Sequence, residues 1–323
     1  MNGGVIGKTG LGMAVAAFAA MALTAFLAAP GSALSESPGI CLPSPSAWLM
    51  NPWLSWSVNT LLLLGCAFAI SGLNRRYTFV QGTDPLMPAA LIVLMASCPW
   101  DVQRLCTGAI MLAVNIACLH LLFGCRESVN NTYRLFTAAA LLAAGVAIQP
   151  AFLPFAVFCP VGAMILKAMR FREAAAYAMG LISPFVALLG LGIVSPADFR
   201  FDLYPGLPDI SAPASDIFMI AAGVAFTMLW ALIAGARNTM QLLKANAEIR
   251  HRNAVVSLMG LVAGAGCIFN FPNLIAYVPT LYLAAATQLA NSYSLSPRRS
   301  GPLLPLLLMI GYIIYFLFCS SIL

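Results

Sequence analysis

The chain has 323 residues, and only 26 are charged: 16 Lys and Arg against 10 Asp and Glu. Hydrophobic types make up 61% and mean hydropathy is +0.92. An ordinary soluble domain is about 25% charged, so 8% here is too little to cover a water-facing surface. A soluble globular enzyme, a disordered chain and a disulfide scaffold are excluded. The composition predicts an all-α, polytopic transmembrane helix bundle, with 1–323 as one integral membrane domain.

A membrane-crossing helix needs roughly 20 apolar residues. Eleven spans are predicted, near 9–29, 53–73, 85–99, 103–124, 135–149, 151–169, 173–194, 214–235, 253–270, 273–290 and 302–321. The first, Leu11–Ala29 behind Lys8, ends in small residues (Ala28, Ala29, Gly31, Ser32, Ala33) and so also has the form of a signal peptide. Its apolar run is longer than a usual h-region, which favours an uncleaved span or signal anchor over 1–29. Spans 85–99, 135–149 and 253–270 are short, and an interfacial or re-entrant helix is the alternative for each. Pro150 and Pro272 mark the tips of two tight hairpins, where proline's missing N–H costs nothing. A tip at another depth would lower the count to nine. The longest stretches between spans are 30–52, an external loop over 195–213 and a basic cytoplasmic segment over 236–252 that is partly amphipathic.

Charge orients the bundle. With the N-terminus cytoplasmic, 14 of the 16 basic residues fall on the inner side, and only Arg104 and Arg200 lie outside. Fourteen basic and four acidic residues leave +10 inside; two basic and six acidic leave −4 outside. The basic excess is therefore an orientation signal that also attracts anionic lipid. It implies no nucleic-acid partner. Trp48, Trp53, Trp56 and Trp100 at the outer edge, and Tyr77, Tyr133 and Tyr177 at the inner edge, fit interfacial belts.

No predicted span carries a charge near its midpoint, which counts against ion-coupled transport. Neutral polar residues in the spans (Asn59, Asn115, Gln149, Asn270, Gln288) are expected to hydrogen-bond between helices. His120 lies about one turn from an inner end, and His251 reads as solvated; neither makes a metal site. No cofactor is implied. Several acids have local explanations. Asp84 precedes Pro85 at a helix start, Asp101, Glu173 and Asp216 open predicted helices, Glu127 adjoins Arg126, and Glu248 lies near Arg250. Glu36, Asp198, Asp202 and Asp209 remain, all on the outer side. Three of them share the loop SPADFRFDLYPGLPDISAP with Arg200 and Tyr204, which makes it the first choice for an external ligand site; the alternative is a solvated, Pro-rich connector.

The nine cysteines read mostly as small buried hydrophobes. Cys98 and Cys106 flank a short outer turn, where a disulfide is one option. Gly7-Lys8-Thr9 lacks the upstream glycine of a P-loop, and no GxSxG occurs. Gly260, Gly264 and Gly266 form a small-residue stripe for close helix approach, and Gly190 and Gly192 read the same way.

From about Asn59 to Asn291 the chain resembles a family of bacterial multi-pass inner-membrane proteins seen mainly in the Bacteroidota. The resembling pieces are VNTLLLLGCAFAISGLNRRYTF, DPLMPAALIVLMAS, RLFTAAALLAAGVAIQPAFLPFAVFCPVGAMIL, REAAAYAMGLISPF and VPTLYLAAATQLANS. That resemblance implies an envelope location and brings no reaction. The helix pairing, the basic turn at Arg75 and Arg76, and the hairpin from Arg134 and Ala138 to a Pro tip are also similar to polytopic C-type glycosyltransferases. Such enzymes use polyprenyl-phosphate sugars at the outer face and place an acid, often Asp, in the first external loop. Here that loop has no Asp and only Glu36, which departs from the pattern.

The resemblance makes Glu36 the candidate base. Asp198, Arg200, Asp202, Tyr204 and Asp209 would bind the polar head, with Arg200 and Arg104 holding phosphate. The implied partners are the lipid bilayer and a polyprenyl-phosphate-linked glycan or an envelope protein. The alternatives are a non-catalytic scaffold and a transporter of an apolar or lipid substrate.

Overall fold

The computed structural model describes residues 3–28, 39–80, 85–125, 131–198, 214–242, 246–295 and 303–320. All regular structure among them is helical. The α-helices are α1 (Gly3–Ala28), α2 (Pro52–Tyr77), α3 (Leu86–Ala96), α4 (Pro99–Gln103), α5 (Thr107–Gly124) and α6 (Asn131–Ile148). They continue as α7 (Leu153–Ile165), α8 (Phe171–Gly190), α9 (Ala214–Leu242), α10 (Ala247–Phe269), α11 (Leu274–Leu295) and α12 (Leu303–Ser320). Six stretches among the described residues are long and apolar enough to cross a membrane: α2, α5, α6, α8, α10 and the part of α9 over Phe218–Leu242. Shorter apolar stretches lie at Leu11–Leu27, Leu86–Ala96, Pro150–Ile165 and Leu307–Cys319. The chain is a helical membrane protein, and each of the eleven predicted spans overlaps one of these α-helices.

Local chemistry sets the helix ends. The Asn51 side chain caps α2 by accepting from the backbone N–H groups of Trp53 (3.0 Å) and Leu54 (3.4 Å), with Pro52 in the first turn. At the other end Thr78 turns left-handed, with φ +45°, and Asn74 Oδ1 accepts from Phe79 and Val80 N–H at 3.1 and 2.8 Å. Asn246 caps α10 through Glu248 N–H. Glu248 then pairs with Arg252 one turn on, at 3.9 Å. Gly192 takes φ +67° just past α8, and a Cβ on Gly190 or Gly192 would touch nothing. These two glycines end a helix and do not bring helices together.

α3 and α11 form the centre. Ten of the eleven residues of α3 are buried, and 18 of the 22 in α11. α11 packs on α3, α5, α9 and α10, while α3 also meets α1, α2 and α12. Lipid offers no hydrophobic drive between helices, so packing and hydrogen bonds must hold them. The neutral polar residues supply these bonds. Asn115 Nδ2 donates to Thr280 Oγ1 (3.1 Å), Gln149 to Asn273 (2.8 Å), and Gln288 to Ser257 (2.8 Å). Asn238 donates to the Gln288 carbonyl and side-chain oxygens at 2.7 and 3.0 Å. Asn270 bonds within its own corner, to the Tyr277 hydroxyl. The α10 stripe makes the predicted close approach: a Cβ on Gly260 would clash with Ala284, and on Gly266 with the Tyr277 ring at 2.5 Å.

The belts are only partly interfacial. Trp48, Trp53 and Tyr133 are exposed. Trp100, Tyr77 and Tyr177 are buried instead, and Tyr177 donates to the Ala156 carbonyl at 2.5 Å. Trp56 donates to the Ala22 carbonyl at 3.2 Å.

Candidate functional site

Two places depart from plain apolar packing. The first is the broken helix between α3 and α5. Asp101 was expected to open the helix that follows, but α5 begins at Thr107. Asp101 lies in the first turn of α4, a separate five-residue helix entered through Pro99. On either side the backbone is extended, at Cys98 (φ −102°, ψ 100°), Arg104 (−142°, 160°) and Cys106 (−126°, 161°). Such a break is stable in a membrane protein only when protein satisfies its backbone, and neighbouring side chains do so. Asn59 Nδ2 of α2 donates to the Asp101 carbonyl at 2.7 Å, and Ser55 Oγ accepts from Leu105 N–H at 2.9 Å. In return Gln103 Nε2 donates to the Ala25 carbonyl of α1 at 3.1 Å. Ser97, Asp101, Gln103 and Thr107 are all 0% exposed. Cys106 Sγ sits 3.9 Å from the Asp101 carbonyl oxygen. Both cysteines are free thiols, so the disulfide option is not taken up.

Of the site residues drawn from the sequence, Arg104 belongs to this centre. It is half-buried, and Nη2 donates to the Ser46 carbonyl at 3.4 Å, tying the break to the segment before α2. Glu36, Arg200, Asp202, Tyr204 and Asp209 lie outside the described residues. Asp198 ends a 3-10 turn, Pro196–Asp198, and its side chain is likewise outside them. Asp101, Gln103 and Ser55 are what sequence reasoning passed over. The usable signal was the stretch SCPWDVQRLCT, where proline, acid and base adjoin a span too short to cross.

The second place is the end of α2. Tyr77 is 1% exposed, with the Arg76 and Arg252 guanidinium carbons 5.3 and 5.5 Å from its ring centre. Arg252 donates to the Tyr77 carbonyl, and Asn253 Nδ2 to the Phe79 carbonyl at 3.4 Å. His251 is half-buried, and its Nδ1 lies 3.0 Å from the Ile165 carbonyl oxygen. The His120 ring is 5.7 Å from that of Tyr77. Burial pushes the Cys125 thiol, just beyond α5, up to about 11; Arg134 pulls against this and Glu173 adds to it.

A groove of about 550 Å³ runs from this cluster along the seam between α2 and α5. Gly65, Ala69 and Gly72 of α2 face Ala113 and Ala117 of α5, and Arg76 and His120 stand at its polar end. A smaller cavity of about 280 Å³ lies among α9, α10 and α11, with Gln288 and Ser257 in its wall. Among the described residues no three His, Cys, Asp or Glu side chains converge to hold a metal.

These features define a helical membrane protein with a buried polar break and a lateral groove among the described residues. No family model, curated protein or solved structure matches the chain.

Proposed function

We propose that the protein is a multi-pass bacterial inner-membrane protein of eleven crossings that engages a lipid-linked glycan at its outer face, in the manner of a C-type glycosyltransferase. Helix-end contacts support the topology. Arg252 with Tyr77, and His251 with Ile165, join segments read as inner. Gln149 with Asn273, Asn59 with Asp101, and Trp56 with Ala22 join segments read as outer.

The observation that carries the site is the α4 break. It holds an acid and a base, Asp101 and Arg104, close together at the end of the bundle read as outer. Intramembrane charge is costly and is usually kept for function. Arg104 reaches Ser46, in the same external segment as Glu36. Glu36 is the proposed base, Arg104 a phosphate contact, and the Asp198–Asp209 loop with Arg200 and Tyr204 the head-group contact. Asp101 is a positioning residue behind them.

The test is transfer of a labelled polyprenyl-phosphate sugar by the full chain in vesicles. Loss of the base in Glu36→Gln should lower transfer by about 10²-fold or more. Unchanged transfer would remove Glu36 from the chemistry. No transfer by the unaltered chain would remove the enzymatic reading altogether.

The complete burial of Asp101, Gln103 and Thr107 favours a second reading, a non-catalytic scaffold whose break is purely structural. In that case extraction in mild detergent should bring down one stable envelope partner. A clean monomer in several detergents would count against it.

A further inference from the structure

We infer that the groove between α2 and α5 holds one acyl chain of an anionic glycerophospholipid of the cytoplasmic leaflet, with the phosphate drawn to Arg76 and His120. This is independent of any outer-face chemistry.

The groove is open. Gly65, Ala69 and Gly72 sit at positions i, i+4 and i+7 of α2, along one strip. Such a strip ordinarily seats another helix. Here a Cβ on Gly65 or Gly72 would meet nothing within 4 Å, so among the described residues no side chain or helix of this chain seats there. Its floor is apolar, with Cys66, Leu73 and Ile116 buried beneath. It offers no hydrogen-bonding side chain along its length until Arg76 and His120. That is the polarity of a lipid: a long apolar tail and one anionic end.

Its dimensions agree. From Leu61 to Arg76, α2 rises about 22 Å at 1.5 Å per residue. One leaflet is about half of a roughly 30 Å hydrocarbon core, so the groove accepts a chain across a leaflet and leaves room for the head group. The ends are fixed. Asn59 and Ser55 clamp the outer end onto the α4 break, and Tyr77 against Phe123 (5.8 Å, edge-on) closes the inner end. The cationic end is also where the sequence places its basic excess, with Arg75 beside Arg76. A phosphate there is attracted by the basic side chains gathered at that end. A partner helix offers a guanidinium at the groove's mouth at most the partial charge of its C-terminus, whereas a phosphate offers a full one, which is why lipid is favoured over a second copy of the chain.

The test uses the full chain in vesicles of equal phosphatidylglycerol and phosphatidylcholine, extracted in mild detergent, with bound lipid counted by native mass spectrometry. The unaltered chain should keep one phosphatidylglycerol over phosphatidylcholine by about tenfold. Arg76→Gln with His120→Gln should bring the two lipids to parity. Both side chains are exposed, so this variant should fold. Gly65→Leu with Gly72→Leu should expel lipid of either kind by filling the groove. Equal retention of both lipids by the unaltered chain would overturn the inference. So would a preference abolished by Arg134→Gln alone, or a dimer of the unaltered chain that Gly65→Leu dissolves.

Discussion

α10 and α2 both carry spaced small residues, and they use them in opposite ways. On α10 Gly260, Gly264 and Gly266 are met closely from across the seam by Ala284, Met228 and Tyr277, and Gly260 and Gly264 also line the smaller cavity. On α2 the gaps at Gly65 and Gly72 stay empty. Small residues permit helices to approach; they do not draw them together. The α10 seam is pulled shut by Gln288 on Ser257 and by Asn238 on Gln288, which lock α9, α10 and α11. α2 and α5 are held at both ends instead, by the polar α4 break and by the rings of Tyr77 and Phe123. A seam with polar clamps in its middle keeps only the cavity of about 280 Å³, and one clamped at its two ends leaves the larger groove of about 550 Å³.

The largest expected effect tests the closed seam. Gly266→Ala places a methyl 2.5 Å from the ring of fully buried Tyr277. Overpacking of this kind costs about 1–3 kcal/mol, read as a fall in the unfolding midpoint in detergent. An unchanged midpoint would mean that the seam is looser than its geometry. Gln288→Leu comes next. It removes the bonds to Ser257 and from Asn238 but leaves Asn238 its bond to the backbone carbonyl. About 1 kcal/mol is expected, and with it looser protection of α9 in hydrogen exchange. Asn115→Ala, which removes one contact to Thr280 between α5 and α11, should cost about 0.6 kcal/mol. A cost equal to that of Gly266→Ala would show that single polar contacts, and not close packing, dominate the centre.

The same contrast explains what was legible in the sequence. Helix existence could be read because an apolar run of spanning length has few other uses, and the stripe at Gly260 and Gly264 could be read because its spacing is regular. The groove was equally present in the spacing of Gly65, Ala69 and Gly72, but whether a stripe is filled depends on its neighbour, which spacing does not carry. Asp101 was lost for a related reason. An acid after Pro99 is locally satisfied as a helix opener, so nothing marked it as buried. The α4 break depends on Asn59 and Ser55 reaching into it, and on Gln103 reaching out to Ala25, across 42 to 78 residues. Such long-range pairing of single neutral residues leaves no periodic trace.

The smallest expected effect on stability is the sharpest test. Gly65→Leu adds a large side chain where nothing opposes it, on the same residue type that Gly266→Ala is expected to punish. Substitutions without a burial or strain mechanism stay within about 0.5 kcal/mol, and replacing glycine inside a helix can return up to about 1 kcal/mol. The unfolding midpoint should therefore hold or rise while the count of retained anionic lipid falls. If the midpoint drops as far as it does for Gly266→Ala, the α2–α5 seam closes in the membrane as α10 does. The two helices would then be alike, and end clamps would be enough to shut a seam.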